Sequence, residues 1–297
     1  MGGIVMVTNR KIRKLKRTTP FDVLLYAILT FALLVCLIPM LYVVSVSITP
    51  YSEVIKHGGF VIFPTVFDFS AYENMLTNSG IPAAYKVSIF ITVIGTLLNI
   101  VLTIGIAYPL SRKNLPGSTF FSFFVLFTML FNGGMIPTYL IVKQFGLINN
   151  IWALIISQAI MPYNVFLMRT FFAALPPDLF EAAEIDGSGE LRTLVQIAVP
   201  LSKPMIMTNL LFYAVIRWNT YMSSILYITS TNLRPLQVVL REILIGADAT
   251  IEQAEYTMPT QTLKMAAVVL TALPITVVYP FVQKHFTKGM MLGAIKG

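Results

Sequence analysis

Glu-Ala-Ala-Glu-Ile-Asp-Gly-Ser-Gly, residues 181–189, is the most acidic stretch of a chain that is otherwise apolar and basic. It lies between two apolar segments that are each long enough to cross a bilayer. The polar interruption around it is too long to be a tight turn. The sequence therefore predicts a membrane protein that carries a structured polar loop, with a surface available to another molecule.

The residues around this stretch predict a short helix. Two adjacent prolines at 176–177 end the preceding segment, because proline cannot continue a helix. Asp178 suits the N-cap position, and Glu181 three residues later suits the matching position of a capping box. A helix over 179–186 would then end at Gly187 in the left-handed conformation.

This predicted helix has the features of a segment that binds in a groove. Ala182 and Ala183 leave a shallow side that another protein can approach closely. Leu179, Phe180 and Ile185 supply apolar anchors. Short amphipathic helices are commonly recognised in this way.

The composition of the whole chain is that of a membrane protein. Of its 297 residues, 56% are hydrophobic and only 11% are charged, with a mean hydropathy of +0.77, whereas soluble domains have roughly 25% charged residues. We expect an all-α polytopic membrane protein with six transmembrane helices and one short polar helix. The predicted spans are 21–46, 87–110, 118–140, 151–173, 205–228 and 263–283. The third is interrupted by Asn132-Gly133-Gly134.

Basic residues predict the orientation of these spans. With the N-terminus inside, thirteen Lys and Arg residues fall in the cytoplasmic pieces and five in the external pieces, as the positive-inside rule requires. We therefore predict a basic cytoplasmic tail at 1–20, a membrane domain at 21–297 and both termini in the cytoplasm. The predicted cytoplasmic loop is 174–204, and the predicted external loops are 47–86 and 229–262.

Enzymatic and metal-binding motifs are missing from the sequence. It has no Gly-x-x-x-x-Gly-Lys-Ser/Thr phosphate loop, so we do not expect this chain to hydrolyse ATP. His57 and His285 have no metal-ligand spacing. The net charge of +8 is concentrated in the tail at 1–20, which indicates topology rather than binding of nucleic acid. We expect a non-catalytic chain without a metal or cofactor of its own.

Polar residues near the end of the fifth span are candidates for a solute path. Trp218 and Tyr221 offer flat faces that can stack on a sugar ring, and Asn219 offers hydrogen bonds to hydroxyl groups. Asn132 is a further candidate. An alternative is that the aromatic residues anchor the helix at the membrane interface and Arg217 extends outward to water. The sequence leaves both interpretations open.

Residues 181–189, together with Pro-Leu-Ser-Lys-Pro at 200–204, resemble the cytoplasmic "EAA" loop of ATP-binding-cassette importer permeases. Ser188 replaces the alanine that often follows the glycine. The resemblance implies that this short helix docks on an ATPase subunit and couples ATP use to transport. The residues given that role are Glu181, Ala182, Ala183, Asp186 and Gly187.

Three further segments resemble the carbohydrate branch of that family, of the maltose-permease kind: 280–297, Trp218-Asn219 and 131–139. The third is similar to permeases for oligosaccharides from complex polysaccharides. The resemblance implies a bacterial cell-membrane assembly of two homologous permeases, two ATPase subunits that bind ATP and Mg, and an external substrate-binding protein. An importer for peptides or amino acids is the alternative. A secondary transporter is less favoured, because no Asp or Glu lies inside a predicted span, Asp22 standing only at the edge of the first.

Overall fold

The apolar segments of the sequence form α-helices. The computed structural model describes residues 19–78, 80–112, 114–249 and 261–294, and these residues contain no β-strand. Most of the predicted tail at 1–20, and residues 250–260 of the predicted external loop, lie outside the described residues. The predicted division into tail, loops and membrane domain stays a prediction.

Fifteen α-helices follow one another along the described residues. The first eight are α1 (Pro20–Ser47), α2 (Tyr51–Lys56), α3 (Ser70–Asn78), α4 (Ile81–Ser111), α5 (Ser118–Leu130), α6 (Met135–Gln144), α7 (Ile151–Ile156) and α8 (Pro162–Ala173). The others are α9 (Asp178–Ile185), α10 (Glu190–Thr193), α11 (Val199–Leu201), α12 (Lys203–Trp218), α13 (Met222–Tyr227), α14 (Leu236–Ala249) and α15 (Gln261–Ala294). A π-helical stretch, Leu194–Ala198, joins α10 to α11, and a 3₁₀ turn, Thr231–Leu233, precedes α14.

Three helices in the described part of the chain are long and apolar enough to cross a membrane: α1, α4 and the Gln261–Val278 part of α15. Two bent pairs also have sufficient length together. α5 and α6 meet at 113°, and Glu190–Leu201 meets α12 at 82°. If each bent pair is one span, the number rises to five, so the predicted count of six stays a prediction.

Three of the predicted spans are not continuous helices: the break in the third lies at the predicted interruption, whereas the breaks in the fourth and fifth were not predicted. The span predicted at 118–140 breaks between α5 and α6, where Gly134 takes a positive φ of 87°. The Oδ1 of Asn132 accepts a hydrogen bond from the Gly134 amide at 2.8 Å, which fixes the turn. The span at 151–173 breaks between α7 and α8, and that at 205–228 breaks between α12 and α13.

Helix α4 lies at the centre of the described fold. It packs against α8 and α12, while α15 packs against α1 and α12. Much of the surface of α1 is apolar and exposed over its length before Ser45, which suits contact with lipid. The residues singled out in the sequence lie at two places in this bundle. Residues 181–187 belong to α9 and the turn after it, which follow α8, whereas Trp218, Asn219 and Tyr221 lie at the end of α12 and just before α13.

Candidate functional site

The start of α9 differs from the sequence prediction. Pro177 itself has helical angles (φ −63°, ψ −31°), and no side chain caps the helix. The Pro177 carbonyl accepts hydrogen bonds from the amides of Phe180 and Glu181 at 2.9 and 3.1 Å. The predicted N-cap role of Asp178 and its capping box with Glu181 are therefore wrong. The reason is that the backbone turns helical one residue earlier, which places Asp178 inside the first turn.

The end of α9 is the one predicted. Gly187 has a φ of +72°, a left-handed conformation that glycine adopts without steric cost. Its amide donates to the Glu184 carbonyl at 3.0 Å, and the Ser188 amide donates to the Ala183 carbonyl at 2.8 Å. This pair of bonds is a Schellman motif, and it confirms the predicted left-handed cap.

One side of α9 is buried in the chain itself. Phe180 packs in a cluster with Tyr108 and Phe172, so the prediction that Phe180 would anchor α9 in a partner is wrong. Ala183 is buried as well. Its small side chain therefore serves the packing of this chain rather than a shallow face offered to another.

The other residues of α9 are exposed, and we call the exposed residues from Glu181 to Gly187 the outer surface of α9. Ile185, the last residue of α9, is 86% exposed. The surface comprises Glu181, Ala182, Glu184, Ile185 and Asp186, with Gly187 at its end. It combines three carboxylates with an apolar centre.

α9 packs against the end of α4. The guanidinium carbon of Arg112 lies 4.3 Å from the centre of the Phe180 ring, which is a cation–π contact. Glu190 accepts a hydrogen bond from the Tyr108 hydroxyl at 2.9 Å and lies 3.8 Å from Arg112. A cavity of about 580 Å³ is lined by these residues together with Glu181 and Glu184. Direct contacts therefore fix α9 and α10 to the end of α4.

Arg217, on α12, is almost completely buried, with 1% of its surface exposed. Its two Nη atoms donate to three carbonyl groups at the end of α7, those of Leu154, Ile155 and Gln158, at 2.5 to 2.9 Å. A fourth bond of 2.7 Å goes to the Oδ1 of Asn99 on α4. We call this group the Arg217 junction. The alternative in which Arg217 extends outward to water is therefore wrong, since the side chain is buried between helices.

Trp218 is buried beside that junction. It is 5% exposed, its Nε1 donates to the Thr271 carbonyl at 3.2 Å, and its ring lies 6.2 Å from that of Tyr85. These contacts join α12 to α4 and α15. They leave little of the indole face for stacking on a sugar, which favours the anchoring interpretation for this residue.

Asn219 and Tyr221 lie outside the core and next to α14. The Asn219 Nδ2 donates to the Val215 carbonyl at 2.8 Å, and its Oδ1 accepts from Gln237 at 3.3 Å. The Tyr221 hydroxyl accepts a hydrogen bond from Arg241, whose guanidinium carbon lies 4.8 Å from the centre of the Tyr221 ring. Among the described residues, no hydrogen bond found joins Asn132 to this group; its Oδ1 accepts from the Gly134 amide.

Tyr221 lines a groove of about 490 Å³ between α13 and α14, which we call the α13–α14 groove. Its other lining residues are Ser224, Ile225, Ile228, Arg234, Val238, Arg241, Glu242 and Ile245. In the sequence, the two arginines were recognisable only as charges outside the predicted spans. The signal missed was the periodicity of α14, which places Val238, Arg241, Glu242 and Ile245 on one side of a helix.

Comparison with known proteins assigns the chain to a family. Residues 115–292 match the family described as "Binding-protein-dependent transport system inner membrane component". This chain belongs to that family.

Related proteins extend the match to nearly the whole length of this permease. The polygalacturonan/rhamnogalacturonan transport system permease protein YtcP of Bacillus subtilis (strain 168) is 43% identical over 282 residues, which cover 93% of this chain and 98% of that protein. Protein LplC of the same organism is 42% identical over 267 residues, covering 89% of this chain and 90% of its own.

A solved structure has the same fold. It is a chain of a bacterial ABC transporter involved in the import of the acidic polysaccharide alginate, with a TM-score of 0.83 and 32% identity. The match covers 90% of this chain and 96% of that chain. The predicted class, an all-α inner-membrane permease subunit of an ATP-binding-cassette importer that depends on a binding protein, is confirmed.

Proposed function

We propose that this permease forms half of a translocation path for an oligosaccharide that an external binding protein delivers. The sugar class rests on its relatives: YtcP is named for polygalacturonan and rhamnogalacturonan, and the structural neighbour belongs to an alginate importer. A second, homologous permease would form the other half. Both termini would lie in the cytoplasm, as the distribution of basic residues predicts.

We further propose that the outer surface of α9 docks on an ATPase subunit, which binds ATP and Mg and hydrolyses the nucleotide. The observation that carries this proposal is the exposed Ile185 on a helix whose other side is fixed to α4. An exposed apolar centre with a charged rim is typical of a protein contact. The coupling role falls on Glu181, Ala182, Asp186 and Gly187, while the buried Ala183 would support the helix from behind.

The proposed mechanism needs no catalytic group in this chain. ATP binding and hydrolysis would change the shape of the ATPase pair, and a ligand or partner shifts a conformation only by its differential affinity for two states. Since Arg112 and Glu190 connect α9 and α10 to the end of α4, movement of the docked helix would rearrange the central helix of the permease. Asn219 and Tyr221 are proposed to contact the sugar, with Asn132 as a further member of the path and Trp218 as an anchor.

Cysteine cross-linking tests the docking surface directly. Cys36 is the only cysteine of the chain, so a Cys36→Ser background permits single introduced cysteines. Ala182→Cys should cross-link to the ATPase subunit in the assembled importer, because Ala182 is exposed on α9.

Ala183→Cys is the matched control, since Ala183 is buried and a cysteine there should not cross-link. Equal cross-linking at both positions, or at neither, would contradict the docking proposal. Labelling of Ala182→Cys by an impermeant thiol reagent only from the cytoplasmic side would support the orientation, and labelling from outside would contradict it.

A further inference from the structure

The α13–α14 groove contains an arginine with no acidic partner among the described residues. Arg234 is paired with Glu242 at 2.6 Å, which neutralises both. None of the three ion pairs between described residues involves Arg241. The described lining of the groove therefore keeps one uncompensated positive charge, and that charge is on an exposed side chain.

Tyr221 holds the Arg241 guanidinium in position and occupies only part of its hydrogen-bond donors. The Nη1 of Arg241 donates to the Tyr221 hydroxyl, and the guanidinium carbon lies 4.8 Å from the centre of the Tyr221 ring. A guanidinium carries five N–H donors in a planar fork. Several of them stay available, in the geometry that binds a carboxylate through two parallel hydrogen bonds.

The remainder of the groove suits a sugar ring. Its volume of about 490 Å³ is within the range of roughly 300–1,000 Å³ for small-molecule sites. Ile225, Ile228 and Val238 provide apolar surface, and Ser224 lies among them. Apolar side chains complement the C–H faces of a pyranose, while the arginine defines where a negative group would be placed.

We propose that the α13–α14 groove is a subsite for an acidic sugar unit, in which Arg241 binds the carboxylate and Tyr221 positions Arg241. The proposal rests on the oligosaccharide function proposed above and specifies its substrate class as uronate-containing chains. The groove lies in the predicted external part of the chain, 229–262, together with the residues just before it. It would thus meet the sugar as it leaves the binding protein.

The test measures equilibrium binding of trigalacturonate and of trimannuronate to the complete importer in lipid nanodiscs, without the binding protein. Wild type should bind at least one of the two, and should bind the methyl ester of that sugar about tenfold more weakly, because the ester cannot form a charge-assisted pair. Arg241→Gln should weaken binding of the acid by about tenfold and leave binding of the ester unchanged. Arg241→Lys should recover part of the loss, since it restores the charge without the fork.

Lys143→Gln is the control for a general loss of positive charge, because Lys143 is exposed at the end of α6 and does not line the groove. It should bind both acids as wild type does. If it weakened binding as much as Arg241→Gln, or if acid and ester bound wild type equally, the carboxylate subsite would be rejected. Equal losses for acid and ester in Arg241→Gln would also reject it, since the arginine would then only maintain the groove.

Failure of this proposal is separable from failure of the transport function. ATP-dependent uptake of the acidic sugars by the complete importer, with no measurable binding in nanodiscs, would reject the groove and leave the oligosaccharide permease intact. If the complete importer with its binding protein takes up neither acidic nor neutral oligosaccharides, the oligosaccharide function itself is rejected, and the subsite with it.

Discussion

The Arg217 junction and the outer surface of α9 are two polar features of an apolar chain, and they differ in burial and in hydrogen bonding. Arg217 is buried and makes four hydrogen bonds, all within the chain. The outer surface of α9 exposes Ile185 and three carboxylates, and none of these side chains has a hydrogen-bond partner among those found in the described part of the chain.

The difference shows that polar residues can have two roles in a membrane protein: they can join its helices, or they can be exposed for contact with a partner. A buried cation whose two Nη atoms are hydrogen-bonded to other helices joins those helices, because an unpaired charge or carbonyl in that environment is costly. An exposed helix with an apolar centre and unpaired charges contributes little to the stability of its own chain. Residues at the junction should therefore control stability, and those on the outer surface of α9 should control assembly.

Arg217→Met should have the largest effect on the stability of the chain. It removes the donors that reach the buried carbonyls of Leu154 and Ile155, which costs about 2–6 kcal/mol in total. The Gln158 carbonyl keeps the hydrogen bond from the Nδ2 of Asn99 at 3.0 Å. The measurement is the thermal unfolding midpoint of the purified chain in detergent. Arg192→Met is the control and should keep the wild-type midpoint, because Arg192 is exposed and its one hydrogen bond found among the described residues goes to Gln196. Similar midpoints for both variants would show that the junction does not hold the helices together.

Gly95→Ala should destabilise the chain by a smaller amount, about 1–3 kcal/mol, through crowding. An added Cβ would lie 2.9 Å from the Nε of Arg217 and 3.1 Å from its Cδ, and the guanidinium cannot retreat without losing its bonds. Gly105→Ala is the control on the same helix, because its Cβ would meet no atom within 4 Å.

A double variant sharpens this test. The cost of Gly95→Ala should fall in an Arg217→Met background, since residues in contact are energetically coupled. Strictly additive shifts in the unfolding midpoint would mean that Gly95 is required for a reason other than the approach of Arg217.

Gly187→Ala should cost about 1 kcal/mol, because an L-residue in the left-handed conformation is strained by that order. Gly189→Ala is the matched comparison: Gly189 has a φ of −69° and open space around its Cβ. Limited proteolysis of the 181–189 stretch should become faster only in the first variant. Equal rates in the two would indicate that the cap does not limit the order of α9.

Ile185→Ser should have the smallest effect on stability, within about 0.5 kcal/mol, as is usual for an exposed side chain. It should nevertheless reduce the amount of ATPase subunit that copurifies with the permease, because it removes the apolar centre of the proposed contact. Phe63→Ser alters another exposed apolar residue, in the loop after α2, and should leave copurification intact. An unchanged yield of ATPase with Ile185→Ser would assign the contact to another surface.

The sequence predicted well where the signals are local. The helix near 178–186 and its end at Gly187 follow from prolines and a glycine within a dozen residues. Its start was misplaced by one residue, because the side chain of Asp178 and the helical backbone of Pro177 are alternative ways to begin a helix. The general class of membrane helices also follows from composition alone.

What could not be predicted depends on contacts between distant residues. The acceptors of Arg217 are 59 to 118 positions away, and three of them are backbone carbonyls that no sequence pattern identifies. Hydropathy likewise gives the length of an apolar segment but not its direction. The 113° turn at 131–134 therefore had a visible cause in its glycines but no predictable angle.

The Arg217 junction also has a consequence for the order in which the protein is made. Synthesis proceeds from the N-terminus, so α4 and α7 enter the bilayer before α12 exists. Until then Asn99 and the carbonyls that end α7 have no arginine to bind. The arrival of α12 supplies these donors and joins helices that have already been made, so a chain that stops before residue 217 lacks the hydrogen bonds by which Arg217 connects α4 to the end of α7.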